Sequence, residues 1–215
     1  MICTSSYDNF KSDLFSLVSI SGDRGKGVDF QGKCYPSLAP KKGFWKIWHD
    51  NIDKVSFEEN TMFYIQQYWE QVLSKLDPED IYNELNNSVL LCYESNDDFC
   101  HRHIVAVWLE VLLDVSVPEV KFDKGIEIVS RPSYIREYLE DAMRLNRNMK
   151  GFKSLRALYL FEKGEKLIEQ AYMLEKETGL CYDNYRQEAG YLQFDADMIE
   201  ENYIRVLSKN KVKIK

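Results

Sequence analysis

The run Cys92-Tyr93-Glu94-Ser95-Asn96-Asp97-Asp98-Phe99-Cys100-His101-Arg102-His103 crowds thiols, imidazoles, carboxylates and a guanidinium into one short stretch. A thiolate attacks electrophiles, an imidazole moves protons near neutral pH, and a carboxylate orients or accepts a proton. Cys92, Glu94, Cys100, His101 and His103 are therefore the candidate catalytic residues. Asp97 or Asp98 is the expected helix N-cap, which puts Cys100 in or near a first helical turn. There, unpaired N–H groups and the helix dipole stabilise a thiolate. Arg102 is expected to lean outward or over the helix end, where it would pair with an anion. Structural roles compete with each of these. Cys92 closes an apolar run and suits a buried thiol, His101 could bridge helix and sheet through a hydrogen bond, and Glu94 could order the loop.

Cys92, Cys100, His101 and His103 could together ligate zinc, but their spacing is not an established zinc pattern. A strand-end cysteine would also need the following loop to fold back accurately. No metal and no cofactor is therefore assigned. Ser5, Arg24, Lys26 and Arg102 are the candidate ligand-binding residues. Arg24 and Lys26 lie in Gly22-Asp23-Arg24-Gly25-Lys26-Gly27, which matches neither GxGxxG nor GxxxxGK[ST]. Its relaxed backbone and basic side chains could still clasp an anion. Lys41, Lys42, Trp45, Lys46 and Trp48 raise contact with single-stranded nucleic acid, because bases stack on aromatic rings while lysines meet phosphate. The three-residue spacing of the tryptophans suits one packed helical face at least as well.

Positioning these groups requires a sheet and its crossover helices. Ile2-Cys3-Thr4 and Leu17-Val18-Ser19-Ile20-Ser21 read as strands, with a short helix or turn over residues 8–14 between them. Residues 28–42 lack periodicity and carry Pro36 and Pro40, so they read as an ordered loop. Ser56 opens a helix to about residue 76, and Asp77-Pro78 opens a second through residue 85. Ser88-Val89-Leu90-Leu91-Cys92 is the clearest strand, apolar throughout as when both faces are covered by helices. Residues 99–113 form the next helix, and 126–129 a further strand. Helical patterns then fill 134–148, 152–176 and 184–208, with Gly164 weakening the middle one. The succession predicts an α/β fold, a parallel or mixed sheet flanked by helices. Residues 1–130 are the expected core, and 131–215 a C-terminal helical extension packed on or beside it.

Composition bounds the setting. The chain has 215 residues, 45% of them apolar, enough for a hydrophobic core without disulfide staples. Its net charge of -7 argues against a broad grip on nucleic acid or anionic membrane. Five widely spaced cysteines form no disulfide framework, and no leader or spanning segment is expected, so a cytoplasmic setting is expected.

The chain resembles the DUF488 family of uncharacterised α/β proteins. The resemblance rests on Ser19-Ile20-Ser21, the Pro36–Pro40 loop leading to Trp45, the helix over 68–76, and Val89-Leu90-Leu91-Cys92-Tyr93-Glu94 followed by Phe99-Cys100-His101-Arg102-His103 and Val105-Ala106-Trp108-Leu109. It covers about residues 1–120 and implies an α/β core whose site gathers Cys92, Glu94, Cys100, His101, Arg102 and His103. It implies no particular reaction. Where family members carry a cysteine- or arginine-containing, proline-bearing segment after the second strand, this chain has Ser21-Gly22-Asp23-Arg24-Gly25-Lys26. The expected function is binding and processing of a small phosphorylated or nucleotide-like molecule at a strand-end pocket. The alternative is a noncatalytic adaptor or single-stranded nucleic-acid-associated protein. Oligomeric partners are left open.

Overall fold

Six strands build one mixed sheet in the order β3-β2-β4-β1-β5-β6. A computed structural model describes residues 1–11, 15–145 and 147–212, without the side chains of 211 and 212. The strands are β1 (Cys3–Ser6), β2 (Ser16–Ser19), β3 (Lys33–Cys34), β4 (Ser88–Cys92), β5 (Glu119–Phe122) and β6 (Ile126–Val129). All neighbours run parallel except β5 and β6, which form an antiparallel pair. The mixed α/β architecture flanked by helices, with a helical extension at the C-terminal end, is the one the sequence predicts.

Buried β-sheet residues decide which side chain faces which layer. Cys3 pairs with Val89, and Ser5 with Leu91, so one face carries these residues with Val120. Strand and loop aromatics cover that face: Tyr7, Phe10, Phe15, Phe30, Tyr93 and Phe122. Rings from the strands and connecting loops thus pack directly on this face of β4. On the opposite face, Thr4 donates a 2.6 Å hydrogen bond to Glu119, and helix α4 (His101–Leu113) lies against β1 and β4. Ile104, Val105, Trp108 and Leu109 of α4 are almost wholly buried. Each fully buried side chain of this kind contributes about 1.5–3 kcal/mol.

The other helices begin where local chemistry allows. α1 (Lys42–Asp50) starts at the end of the proline-punctuated loop and buries Phe44. α2 (Phe57–Gln71) opens on Ser56, whose Oγ accepts from the Glu59 N–H at 3.1 Å. It ends at Gln71 rather than near residue 76, giving way to a tighter turn over Leu73–Lys75. α3 (Pro78–Glu84) has Asp77 as N-cap and Pro78 in the first turn. α5 (Tyr134–Arg144) rests against α2 and α4. β3 and β5 were not expected from the sequence. The expected helix or turn over residues 8–14 lies in part on 12–14, outside the described residues.

The chain divides into two compact units, Met1–Leu145 and Asn146–Lys215. α5 therefore counts with the first unit, although the sequence reading grouped it with the extension. The second unit contains α6 (Leu155–Thr178) and α7 (Asp183–Val212), which form an antiparallel hairpin. Glu200 accepts from the Lys153 and Ser154 N–H groups at 2.8 Å, and at the other end Arg186 pairs with Glu175. Gly164 does not break α6. A Cβ there would lie 3.1 Å from the Ala189 carbonyl oxygen, so glycine permits the close approach of α7. No helix among the described residues is long and apolar enough to cross a membrane.

Candidate functional site

β2 and β4 are adjacent and parallel, so their carboxyl ends open at the same edge of the sheet. Ligand sites of open α/β sheets lie at such edges. A cavity of about 540 Å³ is found there. The segment after β4 brings Cys92, Tyr93 and Glu94 to it, the segment after β2 brings Ser21 to Asp23, and the start of α4 brings Cys100 and His101. Trp45 and Trp48 of α1, Tyr64 of α2 and Phe99 form an aromatic wall beside Lys42. Tyr64 and Phe99 meet edge to face with ring centres 5.1 Å apart, and Trp48 packs on both.

α4 begins at His101 with Cys100 as its N-cap residue, not Asp97 or Asp98. Asp98 instead accepts from the Ser95 hydroxyl, 2.8 Å away, and so is spent within the loop. At Cys100 the backbone is still extended (φ -149°, ψ 145°). The abrupt change to helix lets the consecutive Cys100 and His101 side chains turn toward the same place. His101 Nε2 lies 2.9 Å from the Ile20 carbonyl oxygen, an acceptor only, so Nε2 carries a hydrogen. Its Nδ1 then faces two sulfurs, Cys92 Sγ at 3.6 Å and Cys100 Sγ at 3.9 Å. Glu94 Oε2 reaches Cys100 Sγ at 2.9 Å.

The electrostatics separate two nearly buried thiols. Burial, followed by the neighbouring Cys100 sulfur, pushes Cys92 well above the ordinary thiol range. Burial would raise Cys100 too, but a hydrogen bond from Cys92 and the positive charges of Arg102 and His101 hold it well below that range. Burial opposes charge on His101, yet its contact with the Cys100 sulfur raises it overall. Burial and the adjacent Cys100 charge push Glu94 up to about 7. The floor of the cavity thus sets Cys100, whose surroundings favour the thiolate form, between His101 and a carboxyl group able to exchange a proton near neutrality.

Around this floor the Gly-rich loop is held from within. Asp23 accepts from Ser21 Oγ at 2.9 Å, from the Gly25 and Gly27 N–H groups, and from the Tyr93 hydroxyl at 2.5 Å. Burial opposes the Asp23 charge, but these hydrogen bonds keep its carboxyl below the usual range. Gly25 has φ +76°, and a Cβ on it would sit 2.6 Å from the Phe30 Cβ. Only glycine fits that position.

Cys92, Glu94, Cys100 and His101 are therefore brought together, and the remaining candidates are not. Arg102 turns inward rather than outward: its side chain is fully buried and pairs with Glu119 at 3.0 Å, while Nη2 also donates to the Ser95 carbonyl at 2.8 Å. His103 is buried on the same side, with Nε2 3.4 Å from Glu119 Oε2, within ion-pair range but without an aligned hydrogen bond. Both serve a buried charge cluster that ties α4 to β5. Ser5 is buried and donates to the Val120 carbonyl at 2.5 Å. Arg24 and Lys26 are exposed on the loop beside Asp23 and do not line the cavity. Tyr64 and Tyr93 also line the cavity without having been singled out from the sequence, whereas Lys42 was marked there only as a nucleic-acid contact and Asp23 only as a polar group at a strand end. Asp23 had a signal, its place after a strand in a glycine-rich loop. Tyr64 had none beyond its helical face.

A comparison of the sequence with known families places the same stretch. Residues 18–112 match the DUF488-N3a family, described as the active DUF488-N3 subclade. This segment is similar to that family. The DUF488 match runs from within β2 to the last turn of α4 and contains the whole Cys92, Glu94, Cys100 and His101 floor. Neither a curated protein nor a solved structure showed a match.

Proposed function

We propose that this protein binds and processes a small nucleotide-like molecule in the cavity beyond β2 and β4. The observation that carries this reading is the meeting of an aromatic wall with a reactive floor in one space of about 540 Å³. That volume suits a mononucleotide-sized ligand. Trp45 and Trp48 offer faces for a planar base, and Lys42 offers a positive charge to phosphate. Arg24 and Lys26, on the exposed loop next to Asp23, add charge at the rim.

At the floor, the Cys100 sulfur is the anionic electron-pair donor, and Glu94 is the group that gives or takes a proton. His101, fixed by the Ile20 carbonyl, positions the sulfur. The matched family model is described as an active subclade, which supports processing over binding alone.

Titration of the full chain with adenosine or thymidine monophosphate, followed by tryptophan fluorescence, tests the binding step. Saturable quenching is expected, and Trp45→Ala should weaken it by about 1–3 kcal/mol, the worth of one base–aromatic stack. Mass spectrometry of the incubated nucleotide tests processing, which Cys100→Ala should abolish while binding persists. Binding of single-stranded oligonucleotides but of no mononucleotide would overturn this reading in favour of a polynucleotide partner.

A further inference from the structure

We infer that Cys92, Cys100 and His101 form a three-ligand site for a thiolate-preferring divalent ion of the zinc class, with its fourth position open to the cavity. The inference deepens the reading of the same cavity floor but requires no nucleotide.

The spacing in sequence hides this site, and the fold creates it. Cys92 ends β4, and the following loop returns so that Cys100 and His101 open α4 beside it. Their donor atoms, two Sγ and one Nδ1, all lie within 4.8 Å of one another. A tetrahedral ion with bonds of about 2.3 Å to sulfur and about 2.0 Å to nitrogen separates sulfur from nitrogen by about 3.5 Å and sulfur from sulfur by about 3.8 Å. The sulfur–nitrogen separations of 3.6 and 3.9 Å are close to that shape without an ion between them. Small side-chain rotations would complete it.

The second observation is the far side of the imidazole. Metal-binding histidines characteristically donate their other N–H to a carbonyl or carboxylate, which fixes ring orientation and tautomer. His101 Nε2 does this with the Ile20 carbonyl at 2.9 Å, leaving Nδ1 aimed at the sulfurs. The Ile20 carbonyl belongs to the segment leaving β2, so the ring is referenced to the sheet itself. The donor set also suits a particular ion. Two thiolates and one imidazole favour zinc or a similar borderline ion over magnesium or calcium, which prefer oxygen.

Three protein ligands leave a vacancy in a tetrahedron, as in zinc sites that bind water or substrate. All three residues line the cavity, so the vacancy opens toward it. Glu94 does not belong to the donor triangle, yet its Oε2 lies 2.9 Å from Cys100 Sγ. It stands beside the donor triangle and would orient the Cys100 sulfur toward an ion held there. Arg102 and His103 are already engaged by Glu119 and do not compete for the site.

The test uses the reduced full chain, stripped with a chelator and then equilibrated with Zn2+ or Co2+ alone. About one zinc per chain is expected, and the cobalt form should show sulfur-to-cobalt charge-transfer absorption in the near ultraviolet. Cys92→Ala, Cys100→Ala and His101→Ala should each weaken zinc binding by more than about tenfold, the loss that even supporting groups cause in such sites. Cys34→Ser and Cys181→Ser, at exposed thiols, should bind as the parent does. If a triad variant fails to fold, the cobalt spectrum of the parent decides alone. Failure to bind either ion, a cobalt spectrum without sulfur charge transfer, or a folded triad variant that binds as the parent does would overturn the inference. Nucleotide quenching of tryptophan fluorescence is a separate readout, so either proposal can fail without the other.

Discussion

Glu119 joins Thr4, Arg102 and His103 in one buried polar cluster. It accepts from Thr4 at 2.6 Å and from Arg102 at 3.0 and 3.1 Å, with His103 nearby, and its side chain is almost wholly buried. Replacing it by glutamine leaves the Arg102 charge without a counterion in a dry layer. Glu119→Gln should cost about 3–5 kcal/mol of unfolding free energy, read by urea denaturation near neutral pH. The pH dependence has a definite sign. Burial opposes the Glu119 charge, but the His103 contact and the Arg102 charge bring its carboxyl below the ordinary 4.5. Its contribution is therefore complete above 4.5 and lost as pH falls through the lower folded value. The gap between parent and Glu119→Gln should narrow on acidification. A gap independent of pH would show that Glu119 contributes through packing rather than charge.

The same residues show what could be read at this scale. Cys92, Glu94, Cys100 and His101 were legible because they flank one strand end and one helix start, a junction that periodicity locates. The inward turn of Arg102 was not, since its partner lies on β5, a strand the sequence reading did not recognise. Glu119 sits only one residue after Pro118, in a short segment that lacks a run of apolar residues. A buried ion pair of this type becomes visible only when the tertiary neighbour is known.

Among the elements, long amphipathic helices and the apolar β4 declared themselves, whereas short strands did not. β3 has two residues, both exposed, and exists because β2 offers it an edge. Its pairing is a tertiary fact with no local pattern. Gly164 shows the opposite case, where a residue that lowers helix propensity marks a contact. Valine there would meet the Ala189 backbone and force α6 and α7 apart. Gly164→Val should cost about 1–3 kcal/mol by overpacking. Amide hydrogen exchange would report it as faster exchange along α6 and α7 with little change in β4. Unchanged protection in both helices would mean that the hairpin gives way without cost.

At the level of the molecule, the cavity, its aromatic wall and its reactive floor all come from residues before Leu145. A chain lacking residues 146–215 should therefore unfold cooperatively and keep the fluorescence response to nucleotide. Loss of that response in a folded shortened chain would show that the second unit contributes to binding. The sequence pattern alone would begin the helical extension before α5, whereas the compact unit of the sheet runs to Leu145. That helix looks like its successors in pattern. Its contacts with α2 and α4, which no pattern records, put it with the sheet.

The place of β1 in the sheet has a consequence for biosynthesis. It is the first of the strands to leave the ribosome, yet it lies between β4 and β5 and pairs with Val89 and Glu119. Cys3 to Ser6 must wait for Ser88–Cys92 to gain one neighbour and for Glu119–Phe122 to gain the other. Such non-local pairing folds slowly and leaves apolar surface open to chaperones and proteases. A nascent chain arrested before Glu119 should be protease-sensitive, and protection should set in over the next stretch of elongation. The α6–α7 hairpin, whose partners are close in sequence, can form soon after it emerges.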